Sequence, residues 1–232
     1  MYGQSMVTKL YLVRHAEAEG NAEEFFQGNL DTALTEKGLR QLECLAERFR
    51  NIPLDALWFS PYQRTKLTAE AVNRYHNLPM QPDYELREIN GGQWEGKPWA
   101  EIPALFPESY HQWTTHMAAF EAPSGDAMCD VRNRMVAVME RIARENPGKT
   151  VAVVSHGCAL RNFLCYVEFG DAKRLGDVGW ADNSAVSLVE FDPETGWKLI
   201  FKNDSSHLPP ALSTLRSSKW NQYDKPAGGA AK

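Results

Sequence analysis

Residues 8–15, TKLYLVRH, form a short apolar run that ends in an arginine and a histidine. Such a run is typical of a strand that is buried on both faces of a sheet. Residues 149–156, KTVAVVSH, have the same design, because an apolar run is again followed by a histidine and a small residue. We therefore predict two buried strands, each of which delivers a histidine at its carboxyl end.

Amphipathic helices separate the predicted strands. Residues 32–52 predict a helix with an apolar stripe formed by Leu39, Leu42, Leu45, Ala46 and Phe49. A strand at residues 54–60 meets Pro61, and proline is favoured near helix starts. The other predicted helices cover residues 62–75, 130–145 and 157–169, the second of them ended by Asn-Pro-Gly at 146–148, and two last strands cover 184–192 and 197–203. Because strands alternate with helices, the predicted fold class is α/β, a three-layer sandwich with a mostly parallel central sheet flanked by helices.

A single catalytic domain is expected over residues 1–215, followed by a flexible C-terminal tail over residues 216–232. Residues 89–124 are rich in Gly, Pro, Trp and His and have weak periodicity, so we expect a small insertion of short helices and loops. Four aromatic residues of this insertion are candidates for substrate contact and equally for the core: Trp94, Trp99, Tyr110 and Trp113.

The composition is that of a globular protein, with 43% hydrophobic and 24% charged residues. The net charge is −5 and no run of Lys or Arg occurs, so nucleic acid is not an expected partner. No apolar run approaches the ~20 residues that span a bilayer, and the N-terminus lacks the apolar segment of a signal peptide. The four cysteines form no C-x-x-C pair. We expect free thiols, no membrane partner and a cytoplasmic location.

Ligands of parallel sheets bind outside the carboxyl ends of the strands. The residues that this rule places at one edge are Arg14, His15, Ser60, Arg64, His156 and Gly157. Each alone is more often structural, but two histidines with two arginines indicate an anion site. Guanidinium groups match phosphate oxygens, and they also lower the pKa of a neighbouring histidine, which keeps that nucleophile neutral. Backbone N–H groups of the helix that starts near Gly157 are expected to add donors.

A metal site is the competing interpretation. Glu17 and Glu19 follow His15 at alternate positions, and zinc sites usually use three or four compactly spaced His, Cys or carboxylate ligands. However, the chain has no HExxH or CxxC motif, and two arginines would repel a cation. We therefore expect neither a metal nor another cofactor.

Chemistry at a leaving group requires a proton donor. Residues 85–96, ELREINGGQWEG, offer Glu85, Glu88 and Glu95, and their pattern alone does not choose among the three.

Five segments carry a family resemblance: LVRHAEAEGN at 12–21, LDALWFSPYQRTKLTAE at 54–70, LREINGGQWEG at 86–96, PSGDAMCDVRNR at 123–134 and VVSHGCALRNFL at 153–164. Together and in this order they resemble the histidine phosphatase superfamily, also called phosphoglycerate-mutase-like. The likeness covers residues 8–205. Within the family, the chain is similar to the phosphatase branch, which includes broad-specificity bacterial phosphatases and α-ribazole phosphatase.

The resemblance implies a role for each matching residue. His15 matches the phosphorylated nucleophile, His156 matches the second histidine of the catalytic pocket, and Glu88 matches the proton donor. The implied substrate-binding residues are Arg14, Asn21, Arg64, Gly157, Gln27 and Gly28. Ala16 and Ala18 stand where the family often has Gly and Thr, so one hydrogen bond expected near the site lacks its hydroxyl.

The resemblance implies a metal-independent phosphomonoesterase that acts on a small phosphorylated metabolite through a phosphohistidine on His15. A phosphoglycerate mutase is the alternative, but the short insertion favours hydrolysis because water must reach the phosphohistidine. A non-catalytic phospho-ligand binder is the third interpretation, and the full set of histidines, arginines and acid argues against it. Arg161 is expected to pair on a helix surface and His207 to be structural or part of a lid. The sequence leaves open the substrate and whether the chain forms a homodimer.

Overall fold

The structure is a computed structural model that describes residues 6–217. Its strands are β1 Thr8–Arg14, β2 Ala56–Phe59, β3 Met80–Pro82, β4 Thr150–Ser155, β5 Val186–Asp192 and β6 Gly196–Asp204. Its α-helices are α1 Glu19–Ala22, α2 Glu36–Phe49, α3 Gln63–Asn73, α4 Ile102–Leu105, α5 Pro107–Thr115, α6 Met128–Glu145, α7 Gly157–Phe169 and α8 Thr214–Ser217. Within residues 6–217, no helix combines the length and the apolar character needed to cross a lipid bilayer.

The strands form one sheet in the order β3-β2-β4-β1-β5-β6. The neighbours β3, β2, β4 and β1 are all parallel, whereas β5 runs antiparallel to β1 and β6. The predicted α/β class, with a mostly parallel sheet flanked by helices, is confirmed. Because β2, β4 and β1 are adjacent and share a direction, their carboxyl ends lie side by side, and the predicted site residues follow these ends.

Helices cover both faces of the sheet, and the alternation of side chains along β1 shows how. Leu10 and Leu12 point to a core shared with α6 and α7, whereas Val13 points to a core shared with α2 and α3. The first core includes Met135, Met139 and Phe163, and the second includes Leu45, Phe49 and Val72. Burial on both faces explains the nearly continuous apolar sequence of β1 and β4.

Two details of the sequence prediction are wrong or incomplete. Leu39 was expected on the buried stripe of α2, but its side chain is 51% exposed, and α2 buries Gly38 and Gln41 instead. Gln41 is buried because its amide donates to the Leu212 carbonyl oxygen at 2.7 Å. The edge strand β3 was not predicted, since only three residues, ending in Pro82, form it.

The insertion at residues 89–124 contains α4, α5 and short 3₁₀ turns. Trp94 and Trp113 are almost fully buried in it, and the ring of Phe120 lies 4.9 Å from that of Trp94 and 5.0 Å from that of Trp113. These rings belong to the same core cluster as α6 and α7. The insertion is therefore fixed to the domain by a continuous aromatic core.

The last described residues of the chain are anchored on Asp182, which lies just before β5. Its carboxylate accepts hydrogen bonds from Ser213 Oγ at 2.5 Å, Thr214 N at 2.9 Å and Leu215 N at 3.2 Å. Thr214 Oγ1 in turn donates to Glu17 at 2.8 Å. The end of the described chain is thereby tied to the loop that follows β1.

The tail was expected to begin at residue 216, but residues 216–217 belong to α8. Residues 218–232, on which the rest of that prediction falls, lie outside the described part of the chain.

Substitution Asp182→Ala should destabilise the fold by about 2–4 kcal/mol, because it leaves several buried donors without an acceptor. Urea unfolding should show a lower midpoint with an unchanged m-value. The matched control is Asp177→Ala, since Asp177 is exposed and pairs with Arg174 on the surface. An equal loss of stability in both variants would show that the carboxylate of Asp182 does not anchor the C-terminal segment.

Candidate active site

A cleft opens where the carboxyl ends of β1 and β4 meet the start of α7. Its lining includes eight of the predicted site residues: Arg14, His15, Asn21, Gln27, Gly28, Arg64, Glu88 and Gly157. Its other lining residues are mainly aromatic: Gly20, Phe25, Phe26, Ile89, Trp99, Trp113, Cys158 and Trp180. His156 does not line the cleft; it is fully buried, and its ring centroid lies 5.3 Å from that of His15.

The His15 imidazole is held in one tautomer. Its Nδ1 lies 2.7 Å from the carbonyl oxygen of Ala16, and since a carbonyl only accepts, Nδ1 carries the proton. Burial lowers the pKa of His15 well below its usual range, and the charges of Arg64 and Arg14 lower it further. The ring is therefore neutral with a lone pair on Nε2, which is the form that a nucleophile requires.

The backbone from His15 to Ala18 is held by one hydrogen bond at each N–H group. The acceptors are Ser155 O for His15, Thr68 Oγ1 for Ala16, Gln41 Oε1 for Glu17 and Asn21 Oδ1 for Ala18. Glu17 is buried and lies 3.0 Å from Lys37 Nζ, so this carboxylate is a structural group and does not face the cleft. Ala18 precedes α1 without a side-chain cap, in keeping with the missing hydroxyl.

Both arginines are buried against backbone carbonyl groups. Arg14 is 6% exposed and donates to Ala181 O at 2.5 Å. Arg64 is 1% exposed and donates to Leu30 O at 2.6 Å and Gly28 O at 2.8 Å. Burial lowers the pKa of each guanidinium, and the nearby Glu88 carboxylate opposes that effect. In the part of the chain that the structure describes, neither arginine forms an ion pair with a carboxylate.

Three buried nitrogen atoms around His15 lack a hydrogen-bond partner among residues 6–217: Arg14 Nε, Arg64 Nε and His156 Nδ1. The other ring nitrogen of His156 lies 2.8 Å from Ser60 Oγ, at the end of β2. Burial, Arg64 and His15 lower the pKa of His156 well below its usual range. An unsatisfied buried polar atom costs about 1–3 kcal/mol, so three in one place are typical of a ligand site.

The carboxylate of Glu88 lies at the N-terminus of α7. Its Oε2 accepts from Cys158 N at 2.9 Å, and its Oε1 accepts from Ala159 N and Ile89 N, both at 2.9 Å. The expectation that these α7 N–H groups donate to an anion is wrong for Cys158 and Ala159, because Glu88 already accepts from both. A carboxylate at this position is favoured by the helix dipole.

The other two candidate acids are engaged elsewhere. Glu85 is exposed and pairs with Arg87 at 3.1 Å. Glu95 accepts from Asn29 N and Gly91 N, which fixes the loop on one side of the cleft. Of the three glutamates, Glu88 is the one that lines the cleft.

Asn21, Gln27 and Gly28 shape the remaining polar wall. Asn21 Oδ1 accepts from Ala18 N, so the amide nitrogen is the end of this side chain that can donate to an anion. Gly28 has a φ of +50°, and a Cβ there would lie 2.3 Å from a carboxylate oxygen of Glu95, so only glycine fits and presents its carbonyl to Arg64. Gln27 Oε1 accepts from Thr32 Oγ1 at 2.5 Å.

The turn before β5, residues 181–185, fixes the positions of His15 and Arg14 by hydrogen bonds. The sequence does not predict this role. Asn183 Nδ2 donates to the carbonyl oxygen of His15 at 3.0 Å and to Asn21 Oδ1 at 3.2 Å. Ser184 N also donates to His15 O, and Ala181 O accepts from Arg14. The only signal in the sequence is a cluster of turn-forming residues, which predicts a loop and not its position.

Arg161 does not lie where the sequence predicts, whereas His207 has the contacts of a structural residue. Arg161 was expected on a helix surface, but it is 4% exposed, donates to Val178 O at 2.7 Å and lies 4.3 Å from the ring centroid of Trp180. His207 contacts Arg48 Nη1 at 3.1 Å and Ser184 Oγ at 3.4 Å, and it does not line the cleft. Within residues 6–217, no group of three His, Cys, Asp or Glu side chains could hold a metal ion.

The comparison with known families agrees with this geometry. Residues 10–205 match the histidine phosphatase superfamily (branch 1), and the chain belongs to that family. The predicted resemblance is thus confirmed, and with it the enzyme class at the level of a phosphatase-like or mutase-like member.

Individual relatives carry different activities. Phosphoserine phosphatase 1 of Hydrogenobacter thermophilus is 32% identical over 186 residues, which is 80% of this chain and 88% of the relative. A probable phosphoglycerate mutase, GpmB, of Yersinia pestis is 32% identical over 223 residues, or 90% of this chain and 99% of the relative. Among solved structures, Bacillus stearothermophilus YhfR aligns with a TM-score of 0.80 and 31% identity, covering 86% of this chain and 98% of that one.

Three histidines with lowered pKa values, two of them buried and one partly buried, should make stability fall as the pH falls below about 6.5. Burial lowers the pKa of His15 and His156, and burial together with Arg48 lowers the pKa of His207 to about 4. Below its ordinary pKa the unfolded chain binds protons that the folded chain does not, so each histidine contributes a slope of about 1.4 kcal/mol per pH unit.

Substitution His207→Gln should therefore reduce the pH slope of the unfolding free energy by about 1.4 kcal/mol per pH unit between pH 5 and 6. The slope is measured by urea unfolding at several pH values. His111→Gln is the control, because His111 is exposed, and it should leave the slope as it is. Equal slopes in the two variants would contradict the lowered pKa of the partly buried His207.

Proposed function

We propose that this protein is a phosphomonoesterase that hydrolyses a small phosphorylated metabolite through a phosphohistidine on His15, without a metal or another cofactor. The supporting observation is a neutral, buried His15 beside two buried guanidinium groups whose hydrogen bonds, among the described residues, go to carbonyl oxygens. The chain as a whole has a net charge of −5, so these two positive charges form a local exception. A phosphoryl dianion is the ligand that suits two buried guanidinium groups which form no ion pair with a described carboxylate.

The phosphoryl group is held by four side chains. Arg14 and Arg64 supply charge, His156 donates from Nδ1, which has no partner among the described residues, and Asn21 donates from its amide nitrogen. Gly157 leaves space for this arrangement, since a Cβ there would lie 3.1 Å from Arg14 Nε. Donors that are fixed before the reaction stabilise the charge that develops on the transferring group.

In the first step, His15 Nε2 attacks phosphorus in line, and the bond to the ester oxygen breaks as the P–N bond forms. The carbonyl of Ala16, which accepts from Nδ1, stabilises the positive charge that develops on the imidazole. In the second step, water attacks the phosphohistidine, the P–N bond breaks, and orthophosphate leaves with His15 neutral again.

Glu88 is proposed as the proton donor in the first step and the proton acceptor in the second. Its Oε1 accepts two backbone N–H bonds, whereas Oε2 accepts one, so Oε2 is the oxygen with capacity to carry a proton. That proton passes to the leaving ester oxygen, and Glu88 then removes a proton from the attacking water.

A phosphoglycerate mutase is the second candidate, supported by the 32% identity to a probable enzyme of that kind. A mutase has to bind the carboxylate and second phosphate of a bisphosphoglycerate in addition to the transferring group. Among the described residues that line the cleft, only Arg14 and Arg64 are cationic. Two cations match one phosphoryl group, which favours hydrolysis.

Incubation with 3-phosphoglycerate and a bisphosphoglycerate primer separates the two activities. We expect release of orthophosphate, measured with molybdate, and little 2-phosphoglycerate. Robust isomerisation with little phosphate release would show that the protein is a mutase.

Rapid acid-free quenching with a ³²P-labelled ester should trap an acid-labile, base-stable phosphoryl adduct in the wild type. His15→Ala should abolish the adduct and the release of phosphate, whereas the control His111→Ala, at an exposed position, should retain both. Binding of the ester without any adduct in the wild type would favour the non-catalytic binder.

Substitution Glu88→Gln should slow hydrolysis of an alkyl phosphate by roughly 10²–10⁴, because the alkoxide then leaves without a proton. The same variant should lose far less with p-nitrophenyl phosphate, whose leaving group needs no proton. Glu85→Gln is the matched control, as Glu85 is exposed and outside the cleft lining. Equal losses with both esters would contradict the role of Glu88 as the acid.

A further inference from the structure

The cleft has two chemically distinct sets of lining residues. The polar set is accounted for by the phosphoryl group: Arg14, His15, Asn21, Arg64 and Glu88. The second set consists of aromatic side chains: Phe25, Phe26, Trp99, Trp113 and Trp180. A phosphomonoester consists of a phosphoryl group and an alcohol part. Since the polar set binds the phosphoryl group, the aromatic set contacts the alcohol part and determines which alcohols bind well.

The aromatic set is one packed assembly. Ring centroids are 5.2 Å apart for Phe26 and Trp99, 5.7 Å for Trp99 and Trp113, and 6.1 Å for Trp113 and Trp180, which stack at an interplanar angle of 23°. Behind them, the buried Trp94 lies 5.8 Å from Trp113. The rings are thus held in place before any substrate binds, which reduces the entropy lost on binding.

Arg161 reinforces this assembly. Its guanidinium carbon lies 4.3 Å from the ring centroid of Trp180, and its Nε donates to Val178 O. Arg161 is not among the residues that line the cleft. Arg161 therefore positions Trp180. Among the described residues that line the cleft, Arg14 and Arg64 are the cationic side chains.

A carboxylate on the alcohol part of the substrate would lie among these rings. The two cations of the described lining, Arg14 and Arg64, already bind the phosphoryl group, so the carboxylate would have no cation to pair with. Moving an ionised group into such surroundings without a partner is strongly unfavourable. A flat apolar group in the same place removes its own surface and that of the rings from water. The lining therefore favours an uncharged alcohol over serine or glycerate.

We propose that the substrate is the phosphate monoester of an uncharged alcohol that presents a flat apolar or aromatic face to the partly exposed Trp99 and Trp180, with the buried Trp113 packed against both. This inference rests on the proposed phosphatase function and specifies its substrate class. It separates this protein from the relative named as a phosphoserine phosphatase, in spite of 32% identity.

The test compares three phosphate esters of primary alcohols, so that all have similarly poor leaving groups: 2-phenylethyl phosphate, propyl phosphate and O-phosphoserine. We expect kcat/KM for 2-phenylethyl phosphate to exceed that for propyl phosphate about ten-fold, the factor given by burial of roughly 55 Å² of apolar surface. O-phosphoserine should be the poorest of the three.

Trp99→Ala should lower kcat/KM for 2-phenylethyl phosphate about ten-fold and leave that for propyl phosphate within about two-fold. Trp99 is suited to this test because it is only partly buried. Trp197→Ala is the matched control, since Trp197 is a partly buried tryptophan on β6 that packs on Phe163 and Phe191, outside the cleft. Trp197→Ala should leave the ratio of the two kcat/KM values unchanged. This ratio does not depend on how much of the protein is folded, because both substrates are measured with the same sample.

Two results would overturn the inference about the substrate class without affecting the proposed function. One is faster hydrolysis of O-phosphoserine than of 2-phenylethyl phosphate. The other is an unchanged ratio of kcat/KM for 2-phenylethyl phosphate to that for propyl phosphate in Trp99→Ala. In either case, phosphate release that depends on His15 would leave the proposed phosphatase function standing. If none of the esters, including p-nitrophenyl phosphate, loses phosphate in a His15-dependent reaction, the proposed function is wrong and the inference falls with it.

Discussion

The burial of two guanidinium groups, neither of them in a close ion pair with a carboxylate of residues 6–217, is the constraint on which the rest of the site depends. Arg14 and Arg64 are held by the carbonyl oxygens of Ala181, Gly28 and Leu30, which fix their direction but do not neutralise their charge. Such an arrangement is unfavourable in the free protein. It also determines the state of His15, because two nearby cations and burial keep that imidazole neutral. The same feature thus favours a bound anion and keeps the His15 imidazole unprotonated.

Much of this arrangement follows from the sequence because it depends on strand direction. The apolar runs that end in His15 and His156 predict parallel strands, and parallel strands place their following residues at one edge. Glu88 is different, since Glu85 and Glu95 lie in the same loop segment and have the same local pattern. What distinguishes Glu88 is its contact with the start of α7, 70 residues along the chain, which only the folded structure or a family resemblance supplies.

The parts that sequence reasoning missed have a common physical cause. Asn183 contributes to the site because β5 is antiparallel, so the start of β5, and not its end, lies at the edge where β1 ends. A rule based on the carboxyl ends of strands does not find a residue at the start of an antiparallel strand. Gln41 was likewise overlooked, because an amide on a helix is normally exposed, yet here it connects the loop after β1 to Leu212.

The tie between Glu17 and Thr214 spans 197 residues and has a consequence for the order in which the molecule is made. The chain leaves the ribosome from its N-terminus, so the segment around Glu17 emerges long before the residues that complete its hydrogen bonds. The sheet edge that carries His15 gains its last contacts only when the segment anchored on Asp182 has emerged. A nascent chain that has not yet reached Thr214 therefore has the residues of the site but not the hydrogen bonds that fix the loop after β1.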